Sequence, residues 1–351
     1  VRAVTSGERA LASASVAPPD LVLLDIKMPG LNGYEVCEQL KADPLTRNIP
    51  VIFISALDEI QDKVQAFAVG GVDYITKPFQ FREVLARTET HLSLRRLEKQ
   101  LRDANSKMEQ ELALAGKVQS SFLPGDLPMP TGWQMAAALK PARQTSGDFY
   151  DLVSLADGRI GLVVADVVDK GVGAALFMTL SWILLRSYAM EYPAEPQRVL
   201  RAVNDRILSE IDTGQFVTVF YGILDPATGA LAYCNAGHPP PYLYSAQAGE
   251  TARPLPRTGM ALGVTDSETW EQAEAQIDAG DALVLYSDGV TDAENAEGVP
   301  FGQERLRARV KASLGRPVSE ILDSLLAAVQ EHAAEAVQSD DVTLMVVTRD
   351  P

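Results

Sequence analysis

The chain has 351 residues, of which 46% are hydrophobic and 22% are charged, and its formal net charge is −16. This length allows two domains and a connector, and this composition is typical of folded globular proteins rather than disordered ones. The acidic balance argues against a nucleic-acid partner, and the lack of an N-terminal signal or of an uncharged apolar run of about 18 residues predicts a cytoplasmic protein without a membrane segment.

Residues 1–90 alternate short apolar segments with helical patterns. The predicted strands are VRAVTS, DLVLLDI, IPVIFISA and DYITKP. Such alternation is typical of an α/β doubly wound parallel sheet, in which ligands bind at the carboxyl ends of the strands. Asp25, Ser55 and Lys77 each fall at such an end. The pattern therefore predicts that these three side chains lie close together.

The motifs LLDIKMPGLNGYE, FISA and DYITKPF resemble, in this order, those of response-regulator receiver domains. The resemblance implies that Asp25 is the phosphoacceptor, that Ser55 and Lys77 contact the phosphoryl group, and that a sensor histidine kinase is a partner. In this family an acidic pair on the first strand holds Mg²⁺, whereas this sequence begins at what resembles the second strand. We expect a receiver that lacks its first strand and helix and is phosphorylated inefficiently; a domain used only for docking is the alternative.

Residues 82–122 have a continuous helical pattern that ends at the proline-rich segment LPGDLPMPTGW. Apolar or small residues recur there at spacings of three and four, with a break at Glu111. They are Leu94, Leu97, Leu101, Ala104, Met108, Ala115, Val118 and Phe122. This spacing predicts a coiled-coil linker over residues 91–122 and hence a parallel homodimer. The alternative is one long amphipathic helix that folds back onto its own domain.

Residues 123–351 have a different pattern, in which long helices interrupt a series of apolar strands joined by short turns. This pattern predicts antiparallel sheets covered by helices, an α+β sandwich. The region carries 16 Lys or Arg against 31 Asp or Glu, a net charge of −15. A surface of this charge repels phosphorylated substrates unless bound cations reverse the local field.

Four aspartates in this third region flank apolar strands: Asp148, Asp166, Asp288 and Asp340. If the strands pair centrally, the carboxylates converge, and two of them about 4 Å apart repel each other by roughly 4 kcal/mol. Cations would offset this repulsion, and oxygen ligands favour Mn²⁺ or Mg²⁺. Two such ions bridged by a carboxylate can activate water for phosphoester hydrolysis. The competing interpretation is that each aspartate caps a turn.

The histidines and cysteines do not predict a second kind of metal site. His91, His238 and His332 are too scattered to bind zinc, and His238, in the turn NAGHPPP, is predicted to have a structural hydrogen-bonding role. Cys37 and Cys234 fall in different predicted domains, so we expect no disulfide.

The motifs from about residue 120 onward resemble, in order, those of the SpoIIE-type branch of the PPM metal-dependent serine/threonine phosphatases. They are PARQTSGDFYD, ADVVDKGVGAALFM, NAGHPPPYLY, TGMALGV, GDALVLYSDGVTDAEN and QSDDVTLMVV. The resemblance implies an αββα sandwich over residues 123–351 that binds two Mn²⁺ or Mg²⁺ ions. It also implies that Asp148 and Asp166 are the catalytic metal ligands, with Asp166 as the bridge and the Val167 carbonyl as a further ligand.

By the same resemblance, Asp288 and Asp340 complete the second metal site. Asp341 stands beside Asp340 where many relatives have Asn, so the choice between these two acids stays open. Arg143, five residues before Asp148, is the candidate for binding the substrate phosphate.

These features predict a cytoplasmic response-regulator phosphatase that hydrolyses phosphoserine or phosphothreonine on a partner protein. The resemblance implies that the partner is an anti-sigma-factor antagonist. The segment ELALAGKVQSSFLP resembles the switch helix that precedes such domains in stress-response phosphatases, so a change in helix packing could complete the metal site. The alternative is a catalytically silent adaptor, which the presence of all four aspartates disfavours.

Overall fold

A computed structural model describes residues 1–56, 60–125, 127–210, 214–246 and 251–351. The chain forms two compact units, Val1–Met108 and Glu109–Pro351. The predicted domain limits near residues 90 and 122 stay predictions, and Asp126, in the predicted proline-rich segment, lies outside the described residues.

The first unit is built on a parallel sheet with the strand order β1-β2-β3, formed by β1 (Val22–Asp25), β2 (Val51–Ser55) and β3 (Asp73–Thr76). The accompanying helices are α1 (Gly7–Val16), α2 (Gly33–Ala42) and α3 (Ile60–Ala68). Apolar side chains from β1, β2 and α2, among them Leu24, Phe53 and Val36, form its core. The predicted parallel α/β architecture is confirmed.

The strand predicted at VRAVTS is wrong. Residues 1–4 have no strand conformation, Val1 and Val4 are exposed, and the Ser6 side chain caps the N-terminus of α1. The segment pairs with no described strand. Without a neighbouring strand, its backbone N–H and C=O groups form hydrogen bonds with water instead of a strand ladder.

The linker is one continuous helix, α4 (Phe81–Ser120), of 40 residues. Four predicted seam residues, Leu94, Leu101, Met108 and Val118, are between 53% and 64% exposed. The long helix is confirmed. The exposed apolar seam is what a coiled coil requires, but the dimer stays a prediction.

The second unit contains two antiparallel five-stranded sheets. One has the order β10-β9-β12-β13-β4 and the other the order β11-β8-β7-β6-β5. The strands are β4 (Trp133–Lys140), β5 (Phe149–Ser154), β6 (Ile160–Val167), β7 (Val217–Leu224), β8 (Ala230–Ala236), β9 (Tyr242–Ser245), β10 (Thr251–Pro254), β11 (Ala273–Gln276), β12 (Ala282–Tyr286) and β13 (Val342–Arg349).

Helices cover the outer faces of both sheets. They are α5 (Val172–Glu191), α6 (Pro196–Glu210), α7 (Asp288–Thr291), α8 (Gly302–Ser313) and α9 (Val318–Ala333). Phe177 and Val199 pack against the β5-to-β8 sheet, whereas Leu325 packs against the other sheet. A third apolar layer, which includes Leu162 and Met345, lies between the sheets. The predicted αββα sandwich is confirmed.

Helix α5 has the length and apolar composition of a membrane-spanning helix. It is 20 residues long, and an 18-residue stretch within it has a mean hydropathy of 1.4, so by length and composition it could span a membrane. The helix continues beyond the charged Arg186 to Glu191. Of that 18-residue stretch, 39% is buried, and Phe177, Met178 and Leu185 belong to the core beneath the sheet. Core helices of folded domains commonly have this composition.

Candidate active site

Asp148 and Asp166 lie side by side at the edge of one sheet. Strands β5 and β6 pair with Phe149 opposite Ala165, and this register carries Asp148 next to Asp166. The Asp148 carboxylate is 1% exposed and accepts a 2.6 Å hydrogen bond from the Thr343 hydroxyl of β13. A side chain of the opposite sheet therefore fixes the orientation of Asp148.

Asp288 and Asp340 come from two neighbouring strands of that opposite sheet. Asp288 begins α7 directly after β12, and Asp340 lies just before β13. The two segments approach closely at Gly289, where an added Cβ would lie 2.0 Å from the Asp341 carbonyl oxygen. Only glycine allows this approach, which brings both acids toward the pair formed by Asp148 and Asp166.

The pKa values indicate that these carboxylates face a common region. Burial, followed by the charge of Asp166, raises the pKa of Asp148 well above its usual value. Burial and the charge of Asp288 raise the pKa of Asp166 to about 7. Burial and Asp340 raise the pKa of Asp288. Desolvation and mutual repulsion both disfavour the charged forms, so the group has an excess of negative charge that a cation would relieve.

The four carboxylates do not form a closed ligand shell. Within the described ranges, no three Asp, Glu, His or Cys side chains are arranged to hold one metal ion. Asp340 is instead directed at Lys170, whose Nζ lies 2.9 Å from Asp340 Oδ2. The donors nevertheless fit a hard divalent cation in kind, because all of them are oxygens and three of the acids have raised pKa values.

The adjacent acids Asp340 and Asp341 differ in their surroundings. Asp341 is buried and accepts three hydrogen bonds, from the Ala142 N–H at 2.7 Å, the Ser146 hydroxyl at 2.7 Å and the Gly147 N–H at 2.8 Å. Asp340 is 38% exposed and makes the ion pair with Lys170. Asp341 therefore anchors the loop before Asp148, whereas Asp340 keeps carboxylate oxygens accessible.

The end of helix α4 is bonded to the same loop. The Gln119 Oε1 atom accepts the Ser146 N–H at 2.9 Å, and its Nε2 donates to the Ser146 carbonyl at 2.6 Å. Gln119 is 7% exposed. Its roles, like those of Asp341, Thr343 and Lys170, were missed from the sequence, because each depends on a contact with a segment distant along the chain.

Val167 and Arg143, the two other residues predicted for this site, differ in their relation to the aspartates. An added Cβ at Gly147 would lie 3.1 Å from the Val167 carbonyl oxygen, so this carbonyl borders the loop that leads to Asp148. Arg143 is exposed on that loop. Among the described residues, no hydrogen bond or ion pair joins Arg143 to the four aspartates.

His238 has the structural surroundings expected from the sequence. It is fully buried after β8, its ring Nδ1 lies 2.9 Å from the Thr218 hydroxyl, and its backbone N–H donates to Asn235 Oδ1. Burial lowers the pKa of His238 to about 3, so the ring is neutral.

In the first unit, the three residues predicted to meet lie at the same edge of the sheet. Asp25 ends β1 and Ser55 ends β2, and Lys77 follows β3. The Lys77 Nζ lies 2.5 Å from Asp25 Oδ2, and its backbone N–H donates to the Ser55 carbonyl at 2.7 Å.

Comparison with known proteins agrees with this architecture. Residues 156–350 match the family model of Stage II sporulation protein E (SpoIIE), and residues 1–89 match the response regulator receiver domain. Phosphoserine phosphatase RsbU of Bacillus subtilis is 31% identical over 71% of this chain and 73% of its own length. Protein IcfG of Synechocystis is 35% identical over 68% of this chain, which spans only 41% of IcfG.

Two solved structures have the same phosphatase fold. The SiaA-PP2C domain of Pseudomonas aeruginosa matches 70% of this chain and 99% of its own, with a TM-score of 0.63 and 22% identity, which supports the fold alone. The RsbU and RsbW domains of Rv1364c from Mycobacterium tuberculosis match 65% of this chain and 63% of their own, with a TM-score of 0.57 and 28% identity. The chain belongs to the SpoIIE family, with a PP2C-type phosphatase domain that follows a response-regulator receiver domain.

Proposed function

We propose that this chain is a metal-dependent protein phosphatase that removes phosphate from serine or threonine of a partner protein. The observation that carries the proposal is the approach of Asp148, Asp166, Asp288 and Asp340 from two sheets, with raised pKa values at three of them. A purely turn-capping role does not require acids to be gathered against their own repulsion. The similarity to RsbU, a phosphoserine phosphatase, supports the same activity.

Asp148, Asp166, Asp288 and Asp340, together with the Val167 carbonyl, would hold two Mn²⁺ or Mg²⁺ ions. All of these donors are oxygens, which suits hard divalent cations. When bound, such ions supply an activated water and stabilise the charge on the phosphoryl oxygens. We assign the central catalytic positions to Asp148 and Asp166. Of the adjacent acids Asp340 and Asp341, we assign Asp340 as the metal ligand.

The protein's own groups orient this site. The Thr343 hydroxyl and the Ser146–Asp148 loop hold Asp148 in place, and Asp341 holds that loop through three hydrogen bonds. A carboxylate with several fixed hydrogen-bond partners loses little rotational freedom when a ligand binds. Arg143, exposed on the same loop, is our candidate for a contact with the substrate phosphate.

The receiver suggests how the phosphatase is used. We propose that it is the output of a two-component system in the cytoplasm, with a sensor histidine kinase as phosphodonor to Asp25 and with Ser55 and Lys77 as the residues that respond. We propose a phosphorylated anti-sigma-factor antagonist as the substrate and a homodimer formed through the exposed seam of α4. The exposure of Leu94, Leu101 and Met108 supports the dimer.

The test compares the full chain with Asp166→Asn and with the control Asp157→Asn. Asp157 has a φ of 59° and a side chain that is 84% exposed, and asparagine tolerates this conformation. With Mn²⁺ and an aryl phosphate or a phosphoserine peptide, we expect Asp166→Asn to lose about 100-fold or more in rate and the control to match the wild type. Equal rates for Asp166→Asn and the wild type would refute the enzyme and favour the silent adaptor.

A further inference from the structure

The turn between β6 and α5 has an unusual backbone. Asp169 has a φ of 79° and Gly171 a φ of 92°, so left-handed residues lie on both sides of Lys170. Aspartate pays a steric cost in this region, and strain of this kind concentrates at functional sites. The Asp169 carboxylate accepts the N–H of Lys170 at 2.8 Å and stabilises the turn. This backbone directs the Lys170 side chain across to the segment before β13.

Lys170 makes two contacts at the mouth of the aspartate group. Its Nζ lies 2.9 Å from Asp340 Oδ2 and donates to the Ser339 carbonyl at 2.5 Å. The Lys170 side chain is 36% exposed and that of Asp340 is 38% exposed. The ammonium group is thus half in solvent, and the Asp340 oxygen that it contacts belongs to one of the acids that would bind a divalent cation.

We propose that Lys170 is an internal counter-ion of this site, which competes with a divalent cation for Asp340 and is displaced when the cation binds. The inference rests on the proposed function. An ammonium group and a divalent ion that contact the same carboxylate repel each other, so each weakens the binding of the other. Lys170 therefore weakens the affinity for the ion while it limits repulsion among the carboxylates in the ion's absence.

The experiment measures Mn²⁺ binding by isothermal titration calorimetry on the full chain stripped with EDTA. Lys170→Gln removes the charge, Lys170→Arg keeps it, and Lys140→Gln removes an exposed lysine that, among the described residues, makes no ion pair with Asp340. We expect Lys170→Gln to bind Mn²⁺ about 3- to 5-fold more tightly, as for loss of a half-exposed ion pair. The other two variants should stay within about 2-fold of the wild type by the same measure.

A double-mutant cycle isolates the contact. In an Asp340→Asn background, Lys170→Gln should leave the remaining Mn²⁺ affinity unchanged, because the competed carboxylate is gone. Thermal unfolding in EDTA verifies that each variant is folded, and Lys170→Ala must reproduce the shift.

Three results would overturn the inference in distinguishable ways. Unchanged or weaker Mn²⁺ binding by Lys170→Gln would exclude a competing counter-ion. If that variant also raised KM for an aryl phosphate, Lys170 would instead be identified as a phosphate contact. An equal gain in Mn²⁺ affinity for Lys140→Gln would mean that the effect comes from the net charge of the protein and not from the contact between Lys170 and Asp340. Failure of the wild type itself to bind Mn²⁺ would refute the proposed function as well.

Discussion

Replacement of Asp341 by alanine should lower the stability of the protein, whereas replacement of the adjacent Asp340 should lower its activity. Asp341→Ala removes an acceptor of three hydrogen bonds, from Ala142, Ser146 and Gly147, of which the last two are buried. Hydrogen bonds to charged groups contribute about 1.5 to 3 kcal/mol each, and partial relaxation of the loop reduces their sum, so we expect a loss of about 3 to 5 kcal/mol in the free energy of unfolding.

Asp340→Ala is the matched control one residue away. It removes one half-exposed ion pair with Lys170, which contributes about 0 to 1 kcal/mol, and it also relieves the repulsion that raises the pKa of Asp288. We expect almost no change in stability. Activity with Mn²⁺ should nevertheless fall by about 100-fold, as for other losses at a metal site.

Urea unfolding followed by tryptophan fluorescence measures this difference. The three tryptophans, Trp133, Trp182 and Trp270, all lie in the Glu109–Pro351 unit, so the signal reports that unit although the chain has two. EDTA keeps metal binding out of the measured stability. A large loss of stability for Asp340→Ala together with a small one for Asp341→Ala would reverse our assignment of the two acids.

Three further outcomes follow from the structure. Arg186→Met should destabilise the second unit by about 2 to 3 kcal/mol at pH 7, because Arg186 pairs at 2.6 Å with the buried Asp151. Since burial raises the pKa of Asp151, the loss of stability relative to the wild type should grow as pH rises from about 4 to 7. A loss of stability that does not change with pH would contradict this cause. In EDTA, the raised pKa values of Asp148, Asp166 and Asp288 mean that the folded state binds more protons than the unfolded state, so the second unit should lose stability as pH rises from about 4 through about 7. Saturating Mn²⁺ should remove most of this pH dependence. A stability that increases with pH over this range would contradict the carboxylate repulsion. Leu97→Asp should convert a dimer to a monomer in light scattering whereas Lys99→Asp should not, and an unchanged mass for Leu97→Asp would argue for the folded-back helix.

Local sequence patterns were sufficient for much of the architecture. The alternation of strands and helices predicted the parallel sheet of residues 1–90, and the three-and-four spacing predicted α4. The pattern failed at VRAVTS, because a strand exists only when another strand pairs with it.

The sequence by itself determined which acids are available, because Asp148, Asp166, Asp288 and Asp340 each adjoin an apolar strand that the pattern identifies. Only the tertiary structure decided what each of them contacts. It separated Asp340 from Asp341, joined Thr343 to Asp148 and brought Lys170 to Asp340. Each of these contacts joins residues far apart along the chain, and hydrogen bonds and charge pairs act over a few ångströms of space, regardless of the separation in sequence.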